Sequence, residues 1–431
     1  MSSIVSEISE EIQHICETLT GDASVSIGDV EERVSAAAAS WAARLSESIL
    51  CENATAPAMA AKSVACQECS GRSRRYRQRC RSFTTVCGVV RVKRWEYKCG
   101  CGHIQVPWDA KQPLLGGYTQ KVAAVMMRLS AQLNYRAAAA ELKHQGIQVS
   151  HTTLHQKVQA WSEGESVSDY VDETSVGENE RWYVSCDGCH TNSPDGYKEV
   201  KVGSIGKDYP LQNATSVMKI RSSSLRYVAS RSSAEAFGHQ LTALATQMGI
   251  YQNDETLDTE EVVVIGDGAA WIWNLADEHF PNATEIIDYM HAKTHLYDLA
   301  KQAFGEEDRE TVETWVSTIE TSLYAGETSE VIAGIEDLGK QYPQMLETIK
   351  TQVGYFKKHA HRMQYETFNA KGYQIGSGVI ESACKHVVAE RCKQAGMRWT
   401  ETGINAILFW RGLLKNKSLD TYWHTQLQVA A

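Results

Sequence analysis

No stretch of this sequence is apolar for the roughly twenty residues that a bilayer-crossing helix takes. The first ten residues also lack the basic start and apolar core of an export signal. The chain is therefore expected in the cytoplasm, with no membrane partner. An excess of positive charge is missing too. With 43 Lys and Arg against 53 Asp and Glu, the formal charge is −10, which as an average argues against a nucleic-acid partner. The average conceals an uneven distribution. Residues 70–100 hold ten Lys or Arg and a single acid, Glu96, whereas residues 163–180 hold seven acids and neither Lys nor Arg. Two familiar motifs are incomplete. "GYQIGSG" is not followed by Gly-Lys-Ser/Thr, so it is no nucleotide loop, and His291-x3-His295 lacks the Glu of a zinc-protease helix.

What is present suits a globular protein of two or three domains: 431 residues, 43% hydrophobic and 22% charged. There are twelve cysteines, and without an export signal their spacing matters more than their number. Cys66-x2-Cys69 precedes a β-like arm and Cys99-x-Cys101 closes it. Two such knuckles at the ends of a hairpin can meet as a tetrahedral thiolate site for structural Zn2+. Four unrelated buried cysteines are the alternative, and His103 is a possible substitute for one thiolate. Cys80 and Cys87, within the hairpin, are expected to pack. Along the same arm run Arg72, Arg74, Arg75, Arg77, Arg79 and Arg81. In an extended strand their spacing is expected to gather all but Arg74 or Arg75 near one side, where they can meet phosphates.

Periodicity divides the rest. Residues 1–60 read as two helices of unreadable role, 61–112 as the zinc ribbon, and 113–165 as three helices. The last two helices flank Gly146, and Ser150 is a candidate cap; helix, turn and capped helix fit a helix-turn-helix or a plain three-helix bundle. On the second helix His151, Thr152, His155 and Gln156 are candidates for reading a DNA groove. Residues 166–180 form an acidic linker. Residues 181–304 begin with three closely joined strands, followed by strands alternating with helices, the order of an RNase H-like fold. Residues 305–370 are an all-helical insertion, and 371–431 return to the core and end in helices. The expected fold is thus multidomain α+β, with an RNase H-like mixed α/β core behind a ribbon and a helix-turn-helix.

Two strands of that core end in or run through an acid followed by glycine: Asp187 in "YVSCDGC" and Asp267 in "VVVIGDG". In the expected sheet those strands are neighbours, and Glu381 on a later helix can supply a third carboxylate. Magnesium prefers oxygen ligands and keeps several waters, so three acids can hold a pair of Mg2+ or Mn2+ ions with room for phosphate. Solvated turn residues are the bland alternative, since Asp-Gly is a common turn pair. Cys186 and Cys189 flank Asp187 as packing neighbours. Asp288 is a candidate helix cap, His291 is structural or DNA-positioning, and the "HAH" of residues 359–361 reads as a phosphate contact or a solvated face.

Taken in order, the cysteine ribbon, "CDG", "IGDGAAWIWN", "DYMHAKTHL" and "GSGVIESACK" resemble DDE transposases of the ISKra insertion-sequence group, related to the Mutator-like transposases. The resemblance runs from about Cys66 to Trp410. It implies an RNase H-like core with a helical insertion before the last acid, and a catalytic triad of Asp187, Asp267 and Glu381. It also places Asp288 and His291, in an acid-x-x-His pattern, near the catalytic strands as possible supports of the triad. The implied activity is metal-dependent cleavage of insertion-sequence ends and strand transfer into target DNA. The implied partners are double-stranded DNA and a second or further copy of the chain. A DNA-binding regulator on a catalytically inactive core is the alternative.

Overall fold

The computed structural model describes residues 2–21, 24–57, 59–112, 114–172, 181–209, 219–220, 224–251 and 262–430. It divides into two compact units, Met1–Lys157 with Asp420–Ala431, and Val158–Leu419. Among the described residues no helix is long and apolar enough to cross a membrane.

The first unit begins with helices α1 (Ser2–Leu19) and α2 (Ile27–Thr55). Ser26 and Asp29 start α2 as a reciprocal cap, each side chain accepting the other's backbone N–H. Glu11 of α1 ties the helices together by accepting from the Trp41 indole and the Arg44 guanidinium, both at 2.6 Å. Strands β1 (Ser63–Ala65), β2 (Arg72–Thr85), β3 (Gly88–Cys99) and β4 (Ile104–Gln105) follow, then the short helix α3 (Pro107–Ala110) and strands β5 (Leu114–Leu115) and β6 (Tyr118–Thr119). The sheet runs β4-β3-β2-β6-β5, with β1 also on β2. The ribbon therefore continues past residue 112, because β6 pairs with β2 at Thr84–Tyr118. Its small core is Phe83, Val90, Val92 and Trp108, closed by Ala54 and Leu50 of α2. This gives the N-terminal helices a role that their sequence did not reveal: α2 supplies one wall of the ribbon's core.

Three helices complete this part, α4 (Gln120–Gln132), α5 (Tyr135–His144) and α6 (His151–Ala160). Gly146 turns the chain with φ 78°, a conformation that suits glycine, and Ser150 Oγ accepts the Thr153 N–H at 3.0 Å to start α6.

In the second unit, Val167, Tyr170 and Val171 are buried, so the described part of the acidic stretch packs against its own unit, Tyr170 meeting Phe409 edge-on. Residues 173–180 of that stretch lie outside the described residues. The sheet is built from β7 (Trp182–Ser193), β8 (Gly196–Tyr209), β9 (Lys219–Ile220), β10 (Arg226–Ser230), β11 (Val262–Gly266) and β12 (Thr284–Ile287). Its order is β10-β8-β7-β11-β12, with β9 on β8. The first three are antiparallel neighbours, whereas β11 lies parallel between β7 and β12. Every residue of β11 is buried, which is why its sequence is an unbroken apolar run rather than an alternation.

Helices α7 (Ala234–Gln247), α8 (Ala270–His279) and α9 (Tyr289–Phe304) connect or follow these strands. The helical stretch comprises α10 (Arg309–Ala325), α11 (Thr328–Gln341), α12 (Leu346–His359) and α13 (Tyr365–Ala370). Its buried Val316, Ile335 and Phe356 belong to the same apolar cluster as Val264 and Ile286 of the sheet, so it has no separate core. Then come α14 (Gly378–Ala383), a π-helical turn (Cys384–Ala389), α15 (Glu390–Cys392), α16 (Glu401–Lys415) and α17 (Leu419–Ala430).

Candidate functional site

Cys66, Cys69, Cys99 and Cys101 bring four sulfur atoms within 4.8 Å of one another, close enough to bind one metal ion such as zinc. The Cys66–Cys101 and Cys69–Cys99 separations are 3.8 and 3.6 Å. Four thiolates around Zn2+ at a Zn–S bond of about 2.3 Å would sit about 3.8 Å apart, so the set fits that ion. The β2–β3 pairing makes this possible, since Ser73 opposite Cys99 carries the Cys66–Cys69 knuckle to the far end of the hairpin. The Glu68 backbone N–H beside Cys66 pulls its thiol down to about 6, toward the thiolate that binds metal. His103 is not one of the four; its carbonyl instead accepts the Cys99 N–H at 2.9 Å and shapes the second knuckle. Cys80 is exposed rather than packed.

On β2 a bulge between Arg75 and Arg77 shifts the register by one residue. Without it, Arg72 and Arg74 would point away from Arg77, Arg79 and Arg81, because strand side chains alternate. With it, Arg74 faces Lys98 and Arg77 faces Glu96, two places apart on β3, so these arginines share one side. Arg75 is the exception and lies 4.4 Å over the Trp95 ring. The side is not wholly free: Arg77 pairs with Glu96 at 2.7 Å and Arg81 with Asp109 at 2.8 Å. Arg79, 65% exposed, lies 3.8 Å from Glu96. On α6, His151, Thr152, His155 and Gln156 are all exposed.

The acids of the second unit are organised by strand register. Gly266 pairs with Cys186, so the next residues, Asp267 just past the end of β11 and Asp187 within β7, lie side by side. Burial pushes the Asp187 carboxyl above its usual range, with Asp267 adding repulsion against hydrogen bonds from Cys384 and Gly188. Cys384 Sγ donates to Asp187 Oδ2 at 3.3 Å, and the Gly188 N–H donates to Oδ1 at 2.6 Å. Asp267 Oδ1 accepts the Ala269 N–H at 2.7 Å, and its carbonyl accepts the Trp273 indole at 2.9 Å. Glu381 is exposed on α14, one turn before Cys384. Cys384 thus brings the helix of Glu381 onto Asp187. Among the described residues these three carboxylates do not meet as closely as the four thiols do.

Asp288 is what holds Glu381's approach. It caps α9 by accepting the His291 N–H at 2.6 Å, and its other oxygen accepts the Ser377 N–H. Its own N–H reaches the carbonyl of Gly266, and the Tyr289 N–H reaches that of Ile375, both at 2.9 Å. Through its carboxylate and its backbone N–H together, Asp288 therefore fastens the glycine-bearing loop before α14 to the end of β11. The Tyr183 hydroxyl adds a further tie by accepting the Gln374 N–H at 3.1 Å.

His291 and His295 meet at 3.2 Å between their Nε2 atoms, and His295 Nδ1 lies 3.0 Å from Gln352 Oε1. His295 stacks on Tyr355 at 4.2 Å between ring centres, and burial, then His291, holds it below the usual histidine range. Sequence reasoning missed Cys384, Gln352 and Tyr355, and took His295 only as half of an incomplete zinc-protease pair; their contacts depend on how α9, α12 and the π-turn pack. His359 is buried and bonded to Arg362 at 3.1 Å, so it is not part of a solvated face; burial and then Arg362 bring it down to about 4. His361 is exposed. Cys186 and Cys189 are both buried, as packing neighbours should be.

The glycine after Asp267 has a packing reason. A Cβ on Gly268 would sit 2.3 Å from Cε2 of Tyr355. Gly268→Ala should therefore cost about 1–3 kcal/mol by overpacking, and Tyr355→Leu in the same chain should restore part of it. Denaturant unfolding checks this; equal midpoints for Gly268→Ala and the unsubstituted protein would mean that the ring gives way freely.

The family described as "Uncharacterised protein family (UPF0236)" matches residues 119–419. The chain belongs to that family. The UPF0236 match starts at Thr119, after the cysteine hairpin, and so takes in Asp187, Asp267 and Glu381 but none of the four clustered cysteines. Among curated proteins nothing matches the chain.

Proposed function

We propose that this protein is a metal-dependent DNA transposase of the DDE type, with an RNase H-like core. The observation that carries the reading is Asp187, within β7, next to Asp267, just past the end of the adjacent parallel strand β11, with the helix of Glu381 drawn onto Asp187 by Cys384. Three antiparallel strands followed by two parallel ones, and a helical stretch before the third acid, support the fold assignment. The donor set fits hard cations, because carboxylate oxygens suit Mg2+ or Mn2+ and two adjacent acids repel each other without one. When bound by Asp187, Asp267 and Glu381, a pair of such ions would stabilise the attacking and leaving oxygens of an in-line displacement at phosphorus. Cys384 and the Gly188 N–H orient the Asp187 carboxylate, and Asp288 fixes the loop that delivers Glu381. In the proposed reaction water opens the phosphodiester at an element end and frees a 3′-hydroxyl, which then attacks target DNA. The chain would act as a homodimer or larger assembly on paired ends. Incubation with supercoiled plasmid and Mg2+ or Mn2+ tests the reading. Nicked product that chelator abolishes supports it; DNA binding without nicking in either ion would leave a DNA-binding regulator instead.

In this reading β2 grips phosphates and α6 reads bases. Arg77→Ala with Arg79→Ala should weaken binding to all duplex DNA about equally and reduce the salt slope of log K by about 1–2, as lost phosphate contacts release fewer counterions. His151→Ala with Gln156→Ala should mainly reduce preference for element ends. Binding titrations at several salt concentrations check both. Because Arg77 already pairs with Glu96, Arg79→Ala alone is expected to give most of the arginine effect. An unchanged slope in the arginine pair would mean that these side chains only keep the ribbon soluble.

A further inference from the structure

Beside α14 is a cavity of about 200 Å³ whose wall, among the described residues, includes Arg226, Ser382, His386, Lys415 and Lys417 and no acidic residue. Glu390 takes His386 Nδ1 and lies 3.6 Å from Lys415 Nζ and 3.3 Å from Arg411. One carboxylate, itself 41% exposed, is thus shared by Lys415, Arg411 and the His386 ring. Arg226 donates to the carbonyl of its neighbour Leu225 at 3.0 Å; burial, opposed by the nearby Asp172, weakens its hold on its proton. Ser382 follows Glu381 directly, so the cavity opens on the flank of the helical turn that carries the third acid.

Lys417 gives an independent observation. It stands just after α16 with φ 60°, where the Ser418 N–H reaches back to the Leu413 carbonyl at 2.8 Å. That helix-ending turn favours glycine, and a lysine there carries backbone strain. The helix dipole accounts for a cation such as Lys415 in the last turn, but it does not call for lysine at the strained position. Strain retained at a cavity wall points to use of the side chain.

We propose that this cavity binds a backbone phosphate of the DNA strand worked on by the neighbouring acids. The assignment rests on the DNA-transposase reading and adds a subsite to it. Two cations and a helix-borne hydroxyl would hold the phosphate oxygens, fixing the strand's register relative to Glu381.

The test measures affinity for a short random duplex over a range of salt, together with plasmid nicking. Lys417→Gly should melt at the same or a higher temperature, because strain is relieved, yet bind DNA more weakly. With Lys415→Gln added, the dissociation constant should rise about tenfold and the salt slope fall by about 1–2. Lys340→Gln, at an exposed ion pair with Asp337, should match the unsubstituted protein. If the unsubstituted protein binds and nicks DNA and the double variant keeps its affinity and slope, the subsite is wrong and the transposase reading survives. If the unsubstituted protein binds no duplex even at low salt, both fall together.

Discussion

Asp187→Asn, Asp267→Asn and Glu381→Gln should each cut metal-dependent strand cleavage by about a thousandfold or more, a loss of roughly 4 kcal/mol of transition-state stabilisation. Each change preserves shape and removes one negative charge. Folding should persist, since Asp267 and Glu381 stand at the edge of the core and Asp187 already resists full ionisation because of its burial. Binding of duplex DNA should hold or strengthen, because a charge that repels phosphate is gone. The measurement is nicked plasmid against time in Mg2+ and in Mn2+, with circular dichroism and a binding titration on the same preparations. Normal cleavage by any one variant would remove that residue from the proposed ligand set. Cys384→Ala offers a graded companion: it deletes the donor to Asp187 without deleting a carboxylate, so its effect should be tens of times smaller.

Protein prepared without chelator should carry about one tightly held zinc per chain, and Cys66→Ser or Cys99→Ser should abolish it. The expected energy is large. Binding to a thiolate site of this kind is worth about 10–16 kcal/mol in small peptides near neutral pH, and much of that is folding energy. The ribbon's own apolar core, Phe83, Val90, Val92 and Trp108 with help from α2, is too small to do without it. Metal analysis measures the first effect, and proteolysis or loss of sheet signal on chelation measures the second. Zinc absent from both the unsubstituted protein and the variants would refute the site. Zinc retained by Cys66→Ser would mean that His103 or water can complete the set. The pH dependence should be steep, because each thiol must lose its proton to bind metal.

Where sequence reading succeeded, a local rule was enough. The apolar run 262–265 announced a strand buried on both faces, and it is the fully buried β11 between two parallel neighbours. Helical periodicity from 305 to 370 gave helices α10 to α13. Cys-x2-Cys and Cys-x-Cys at the ends of one hairpin gave the thiol cluster, because antiparallel pairing must bring those ends together. Ser150 and Asp288 were legible as caps from their positions before helices. Domain limits were less legible. The ribbon takes in β5 and β6 past residue 112, and the acidic stretch contributes buried Val167, Tyr170 and Val171, since an apolar residue among charges gives no local sign of its partner.

The amino-acid sequence, then, sufficed for the kinds of element, their order, the thiol cluster and the three acids singled out as candidates. Each of these follows from spacing along one strand, helix or hairpin. Tertiary structure decided the rest. Strand register set Asp187 beside Asp267, although their paired neighbours Cys186 and Gly266 are 80 positions apart in the chain. A one-residue bulge turned the arginines of β2 other than Arg75 to a common side. Packing of the π-turn brought the Cys384 thiol to Asp187, and the second oxygen of Asp288 found Ser377 across 89 residues. Contacts of that range are chosen by the whole set of buried surfaces at once, and no local pattern of side chains encodes them.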